Sequence, residues 1–247
     1  MKLKQLIILL VLLTIGACQD PQPSAGEIMN KALEAHGTAI ASNARLEFDF
    51  RGIAYAVERK NGNYVYERHL EIDSLEVVDR LNNQGFTRSS DGEIQMIADS
   101  LKNRYAASLN SVVYFAQLPF GLDGPAINLR YLGQDLIKGK TYHEIEVTFD
   151  EEGGGEDHDD IFVYWVDAEN FLIDFLAYSY CEQECGYRFR ESVNRRNLNG
   201  VIVQDYNNYK ALQTDPTLSK MDDLWEEGKL EKISEIKLER AKVKLTE

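Results

Sequence analysis

TYHEIEVTFDEEGGGEDHDDIFVYWVDAENFLIDFLAYSY, residues 141–180, reads as three consecutive strands. Thr141, His143, Ile145, Val147 and Phe149 face one way; Tyr142, Glu144, Glu146 and Thr148 face the other. A period of two is that of a half-buried strand. Ile161 to Val166 is apolar on both faces, as is most of Phe171 to Tyr180. Strands apolar on both faces sit centrally, with something packed on each side. One cover is expected to be a helix, the other a helix, a second sheet or a ligand. The aromatic side chains here suggest a ligand-binding set of Phe149, Tyr164, Trp165 and Phe175, with His143 beside them. The competing reading is that the same rings fill a core and that His143 is a hydrogen-bonded core histidine.

Working outward, one long helical pattern precedes these strands. Ile97, Leu101, Tyr105, Leu109, Val112, Val113 and Ala116 recur at three- and four-residue steps, and Pro119 and Gly121 end the run. That stripe is expected to pack on the central strands. Upstream, Leu46, Phe48 and Phe50 alternate with charged residues, and the phase changes at Gly52, implying a bulge or tight turn. Asn61-Gly62, Asp91-Gly92 and Asn199-Gly200 are hairpin or turn signals. They flank strands at 64–70, 77–81, 86–89, 187–193 and 201–209. Asp215-Pro216 is expected to start a short helix with Leu218, Met221, Leu224 and Trp225 on its buried face, stopped by Gly228. A final strand carries a bulge near Glu239-Arg240. The fold class is mainly β within α+β: a curved antiparallel sheet or half-barrel with one long and two short helices.

The N-terminus, MKLKQLIILLVLLTIGAC, has Lys2 and Lys4 before the apolar run Leu6 to Leu13. That run is too short to span a membrane but suits a signal peptide. Ile15-Gly16-Ala17-Cys18 resembles a bacterial lipobox, which implies cleavage of residues 1–17 and diacylglycerol on the Cys18 sulfur. Two or more acyl chains anchor stably. Residues 18–26 make a tether, and 27–247 a single sheet domain. Ser24 and Glu27 form a capping box for a helix that ends at His36 and Gly37. His36 is expected there as a cation at the negative end of the helix dipole. The expected location is the periplasmic side of the outer membrane, with surface exposure also open.

The net charge of -14 repels phosphate backbones and argues against nucleic-acid binding. The loop from Asp150 to Asp160 concentrates acid: Asp150, Glu152, Glu156, Asp157, Asp159 and Asp160, with His158 among them, are candidate metal ligands. Carboxylates converging on a glycine-rich tip suit Ca²⁺; a solvated loop is the alternative. Cys181 and Cys185 bracket three residues and are expected to oxidise outside the cytoplasm. No nucleophile elbow, P-loop or zinc-protease motif is present, and no catalytic residue is assigned.

Several stretches, KALEAHG (31–37), RLEFDFRG (45–52), DRLNNQGF (79–86), SLNSVVYFAQLPFGL (108–122), VTFDEEGGGEDHDDIFVYW (147–165) and NGVIVQDYNNY (199–209), resemble a lipoprotein family of unknown function from Bacteroidota-type bacteria. The order of elements also looks like the half-barrel of lipoprotein-sorting carriers, where a curved sheet wraps helices around an apolar cavity. That resemblance implies an envelope lipoprotein, monomeric and held to the membrane by its lipid anchor, that takes a lipid or other apolar ligand. The alternatives are a Ca²⁺-stabilised or metal-dependent module, a hydrolase among them, built on the acidic loop, and a structural, partner-docking lipoprotein.

Overall fold

The computed structural model describes residues 23–155, 158–181 and 185–246. The residues read above as a signal peptide and lipobox, Cys18 among them, and Glu156 and Asp157 of the acidic loop lie outside the described residues. The chain opens with helix α1 (Ala25–His36), capped as expected: Ser24 Oγ accepts from the Glu27 amide at 3.2 Å, and the Glu27 carboxylate accepts from the Ser24 amide at 2.7 Å. Gly37 closes it in the left-handed region, φ +72°. A Cβ there would lie 1.9 Å from the Gly200 carbonyl oxygen, so glycine lets helix and hairpin touch. A single further turn, α2 (Thr38–Ala41), follows.

Six strands come next: β1 (Ala44–Phe50), β2 (Ile53–Lys60), β3 (Asn63–Ile72), β4 (Leu75–Asn82), β5 (Gly85–Ser90) and β6 (Glu93–Ile94). The phase change at Gly52 is a two-residue turn, with Phe50 paired to Ile53. Helix α3 (Asp99–Ala116) then crosses the sheet. The second strand set is β7 (Ile127–Ile137), β8 (Lys140–Phe149), β9 (Ile161–Asp167), β10 (Ile173–Cys181), β11 (Cys185–Leu198) and β12 (Val201–Ala211). A 3₁₀ turn (Leu218–Lys220) and α4 (Met221–Glu226) lead to β13 (Leu230–Ile236) and β14 (Glu239–Leu245). Thr217 is the N-cap of that 3₁₀ turn, so Pro216 is not the first helical residue.

All pairing is antiparallel, in two seven-stranded sheets that do not close into a barrel. Their orders are β14-β1-β2-β3-β4-β5-β6 and β13-β12-β11-β10-β9-β8-β7. Only Lys237 and Leu238 separate β13, the edge of one sheet, from β14, the edge of the other. The two act as one bent strand shared across a seam. Asp205 pins the corner: its Oδ1 accepts from the Leu238 amide at 2.9 Å and from Arg196 Nη2 at 2.8 Å. The bulge near Glu239-Arg240 is present. Glu47 pairs with Lys242 but Asp49 with Glu239, and Arg240 has φ +52°.

Three cores follow from this layout. On one face of the central strands, Ile145, Val147, Phe162, Tyr164, Leu176 and Tyr178 pack on Ile28, Met29 and Ala32 of α1. On the other face, Tyr142, Val163, Trp165, Phe175 and Phe189 pack on Met221 and Trp225. Both covers are helical. The third core joins Leu46, Phe48, Tyr55 and Val57 to Leu109 and Val113 of α3.

The α3 stripe departs from the sequence expectation. Its body lies over β3, β4 and β5, and only its last turns reach the central strands. Leu109 and Val113 are buried, whereas Ile97 precedes the helix. Tyr105 is held outside the core by Arg88, whose guanidinium lies 3.8 Å from its ring centroid. His36 is also corrected. It is 2 % exposed, burial pushes its pKa down to about 4, and its Nδ1 meets the Ala32 carbonyl at 2.9 Å. It is a neutral core group rather than a cation at the helix end.

Candidate functional site

The alternation of β10 and β11 builds the site. Tyr178 pairs with Arg188, and Leu176 with Arg190, so these four side chains share one face while Phe175, Ala177 and Phe189 take the other. On β12, Asn208 pairs with Arg190, which puts Gln204, Tyr206 and Asn208 on the same face as the arginines. The last turns of α3 run above, presenting Ser111, Val112, Phe115 and Ala116. Phe50 and Arg51 of the β1–β2 turn, Ile236 and Leu238 at the seam, and Asp160 and Cys181 complete the lining of the site. These residues line a partly open cavity of about 320 Å³. That is at the small end of the range typical of ligand sites, about 300–1,000 Å³.

Its walls are aromatic. The Phe115 ring lies 5.2 Å from that of Tyr178 and 6.2 Å from that of Phe162. Its floor is cationic. Arg190 is 6 % exposed, donates from Nη2 to the Tyr178 hydroxyl at 2.7 Å, and lies 3.8 Å from the Phe115 ring centroid. Its Nε and Nη1 have no hydrogen-bond partner. Arg188 donates from Nη2 to the Tyr180 hydroxyl at 2.5 Å and from Nη1 to the Tyr187 carbonyl at 2.9 Å. Neither arginine makes an ion pair among the described residues. Beside them, Gln204 donates to the buried Tyr206 hydroxyl at 2.7 Å, and the Asn208 Oδ1 is buried without a partner. Burial drives the Tyr206 and Tyr164 phenols upward and holds Tyr114 at about 12, so these hydroxyls keep their protons.

The structure separates the residues singled out in the sequence. Tyr164 is fully buried, with its hydroxyl 3.4 Å from that of Tyr114, and Phe149 meets Phe162 edge-on. Trp165 and Phe175 lie on the opposite face against Phe189 and Trp225. His143 is buried next to Tyr131, whose hydroxyl is 3.2 Å from Nδ1. None of these five lines the cavity. Of the central-strand aromatics, Tyr178 and Tyr180 do.

In the acidic loop, Asp150 accepts from Asn128 at 2.7 Å and His158 sits 3.6 Å from Asp159. No group of three or more metal-ligating side chains converges among the described residues. Asp160 belongs instead to the cavity wall. Cys181 and Cys185 are joined by a disulfide at the turn end of the β10–β11 hairpin, where they are the last cross-strand pair.

Arg188, Arg190, Phe115 and Tyr206 escape a sequence reading. Alternation with Phe189 marks the two arginines as a solvent face, and only the α3 roof turns that face inward.

The fold and site together define an open antiparallel half-barrel with a roofed, aromatic and cationic cavity at the seam of its two sheets. The chain belongs to DUF6503, a family of unknown function, whose model matches residues 4–238. No curated protein matches it. Among solved structures it is similar to a LolA superfamily protein from Nitrosomonas europaea (12% identity, TM-score 0.46, covering 78% of this chain and 88% of that one). It is also similar to a DUF1329 family protein from Desulfovibrio piger (11% identity, TM-score 0.42, 76% and 87%). A third is the lipoprotein LppX from Mycobacterium tuberculosis (10% identity, TM-score 0.28, 64% and 90%). Similarity at this level transfers neither ligand nor mechanism.

Proposed function

We propose that this protein is a cell-envelope lipoprotein, anchored through Cys18, that binds a lipid or other apolar molecule in the cavity beneath α3. The observation that carries the reading is the cavity itself, a roofed space of about 320 Å³ walled by Phe50, Val112, Phe115, Tyr178 and Leu238. An apolar space of this size, with a few polar groups converging on it, has the anatomy of a ligand site. The lipobox-like Cys18 and the apolar run before it support an envelope location on the periplasmic side of the outer membrane.

The test is to express the chain from Ser24, purify it without detergent, and extract it with organic solvent for mass spectrometry. A stoichiometric lipid or apolar metabolite is expected. A clean extract, together with no uptake of added apolar probes, overturns the reading.

A further inference from the structure

We propose that the cavity selects a single-chain amphiphile with an anionic head group, and that Arg190, supported by Arg188, is the group that receives the head. This rests on the ligand-binding reading above and deepens it. A guanidinium carries five N–H donors and never loses its charge. Arg190 spends one contact on the Tyr178 hydroxyl, and two of its nitrogens are left without partners at 6 % exposure. Among the described residues, neither of the other two strongly buried arginines leaves a buried nitrogen unpartnered, although Arg59, like Arg190, has only neutral acceptors. Arg68 has Asp79 and Ser108, and Arg59 has Gln117 and Tyr66. A buried cation left without an anion is costly. The Phe115 ring at 3.8 Å offsets part of that cost and supplies no hydrogen-bond acceptor.

The wider charge pattern agrees. Among the described residues, three arginines, Arg51, Arg188 and Arg190, line the cavity against one carboxylate, Asp160, in a chain whose net charge is -14. A concave, low-dielectric site lined by one sign of charge focuses its field on ligands of the other. Oxyanions are matched by guanidinium forks, and such bonds are stronger than neutral ones. The aromatic and aliphatic wall, which runs from Phe50 and Leu238 past Val112 to Phe115, supplies the complementary surface for a chain. A volume near 320 Å³ suits one chain rather than the two of a phospholipid.

The experiment is equilibrium dialysis of the full chain with dodecanoate, 1-dodecanol and inorganic phosphate. Dodecanoate is expected to bind roughly tenfold to a hundredfold more tightly than dodecanol, the ratio set by one or two charge-assisted hydrogen bonds. In Arg190→Met the preference for dodecanoate over dodecanol collapses, since the change removes the charge and keeps an apolar side chain. Equal binding of dodecanoate and dodecanol by the wild-type chain overturns the head-group assignment and leaves the apolar cavity standing. Displacement of dodecanoate by millimolar inorganic phosphate overturns the amphiphile class in favour of a free oxyanion. Failure of both dodecyl compounds to bind overturns the cavity reading as well. The wild-type comparison needs no variant, so the test holds even if Arg190→Met folds poorly.

Discussion

Replacing Glu144 by glutamine is expected to stabilise the chain at pH 8 and to leave it nearly unchanged at pH 5. Glu144 lies on β8, 7 % exposed, on the face of the sheet turned away from the cavity, and its Oε1 has no hydrogen-bond partner. The groups around it are mostly of its own sign: Asp222, Asp135 and Asp223, with Lys220 acting against them. Burial first, and then Asp222 and Asp135, push its pKa from the ordinary 4.5 to about 7. Asp222, 1 % exposed with an unpartnered Oδ1, is pushed up as well, by burial and then by Asp135.

Between those two values the folded state holds a proton that the unfolded chain has already lost, so stability falls as pH rises through the window and stays low above it. At about 1.4 kcal/mol for each pH unit of that separation, ionised Glu144 costs roughly 3 kcal/mol at pH 8. Glutamine keeps the shape without the charge. For a chain of this length about 1 kcal/mol moves Tm by roughly 2–4 °C, so E144Q should melt about 6–12 °C above wild type at pH 8 and within about 2 °C of it at pH 5. Scanning calorimetry across that range reads both numbers. A difference that is the same at both pH values, or a variant less stable at pH 8, would refute the electrostatic account.

Other perturbations test other joints. Asp79, fully buried, accepts from Arg68 at 2.5 and 3.0 Å and from Arg88 at 2.6 and 2.9 Å. D79A strands two arginines and should cost about 3–5 kcal/mol in urea unfolding; a loss below about 1 kcal/mol would mean that water reaches them. His36, held near 4 against 6.5 in the unfolded chain, contributes stability that is complete above pH 6.5 and lost as pH falls toward 4. H36Q should flatten that acid limb, and an unaltered limb tells against a neutral His36. Trp165→Ala should cost about 3–5 kcal/mol yet leave dodecanoate affinity within about twofold, because the ring packs on the far side of the sheet. Gly37→Ala drives a Cβ against Gly200 and should cost more than about 2 kcal/mol, whereas Gly62→Ala, in open space at φ +78°, should cost only about 1–2 kcal/mol of left-handed strain. Equal losses at the two glycines would deny the close contact between α1 and the hairpin.

Much of the fold was legible because its signals are local. The capping box at Ser24, the hairpin turns at Gly52, Asn61-Gly62 and Asn199-Gly200, and the bulge near Arg240 all depend on residues within a few positions of one another. β7 was not legible. Its pattern, INLRYLGQDLI, interleaves polar residues in an edge strand that is mostly half-buried or exposed, so alternation alone is a weak signal there. The site was less legible still. An aromatic side chain on a strand is apolar whether it fills a core or lines a cavity, and the sequence does not say which face receives a helix.

By itself, the sequence determined the antiparallel β character, most strand boundaries and the capped first helix, because each arises from backbone propensity and short-range patterning. Only the tertiary structure decided that β13 and β14 join two sheets across a seam, that α3 roofs the face carrying Arg188 and Arg190, and that Trp165 and Phe175 lie on the far side of the sheet from the cavity. Those outcomes depend on contacts between residues far apart in the chain, whose cost in loop closure is repaid only once all of them form together.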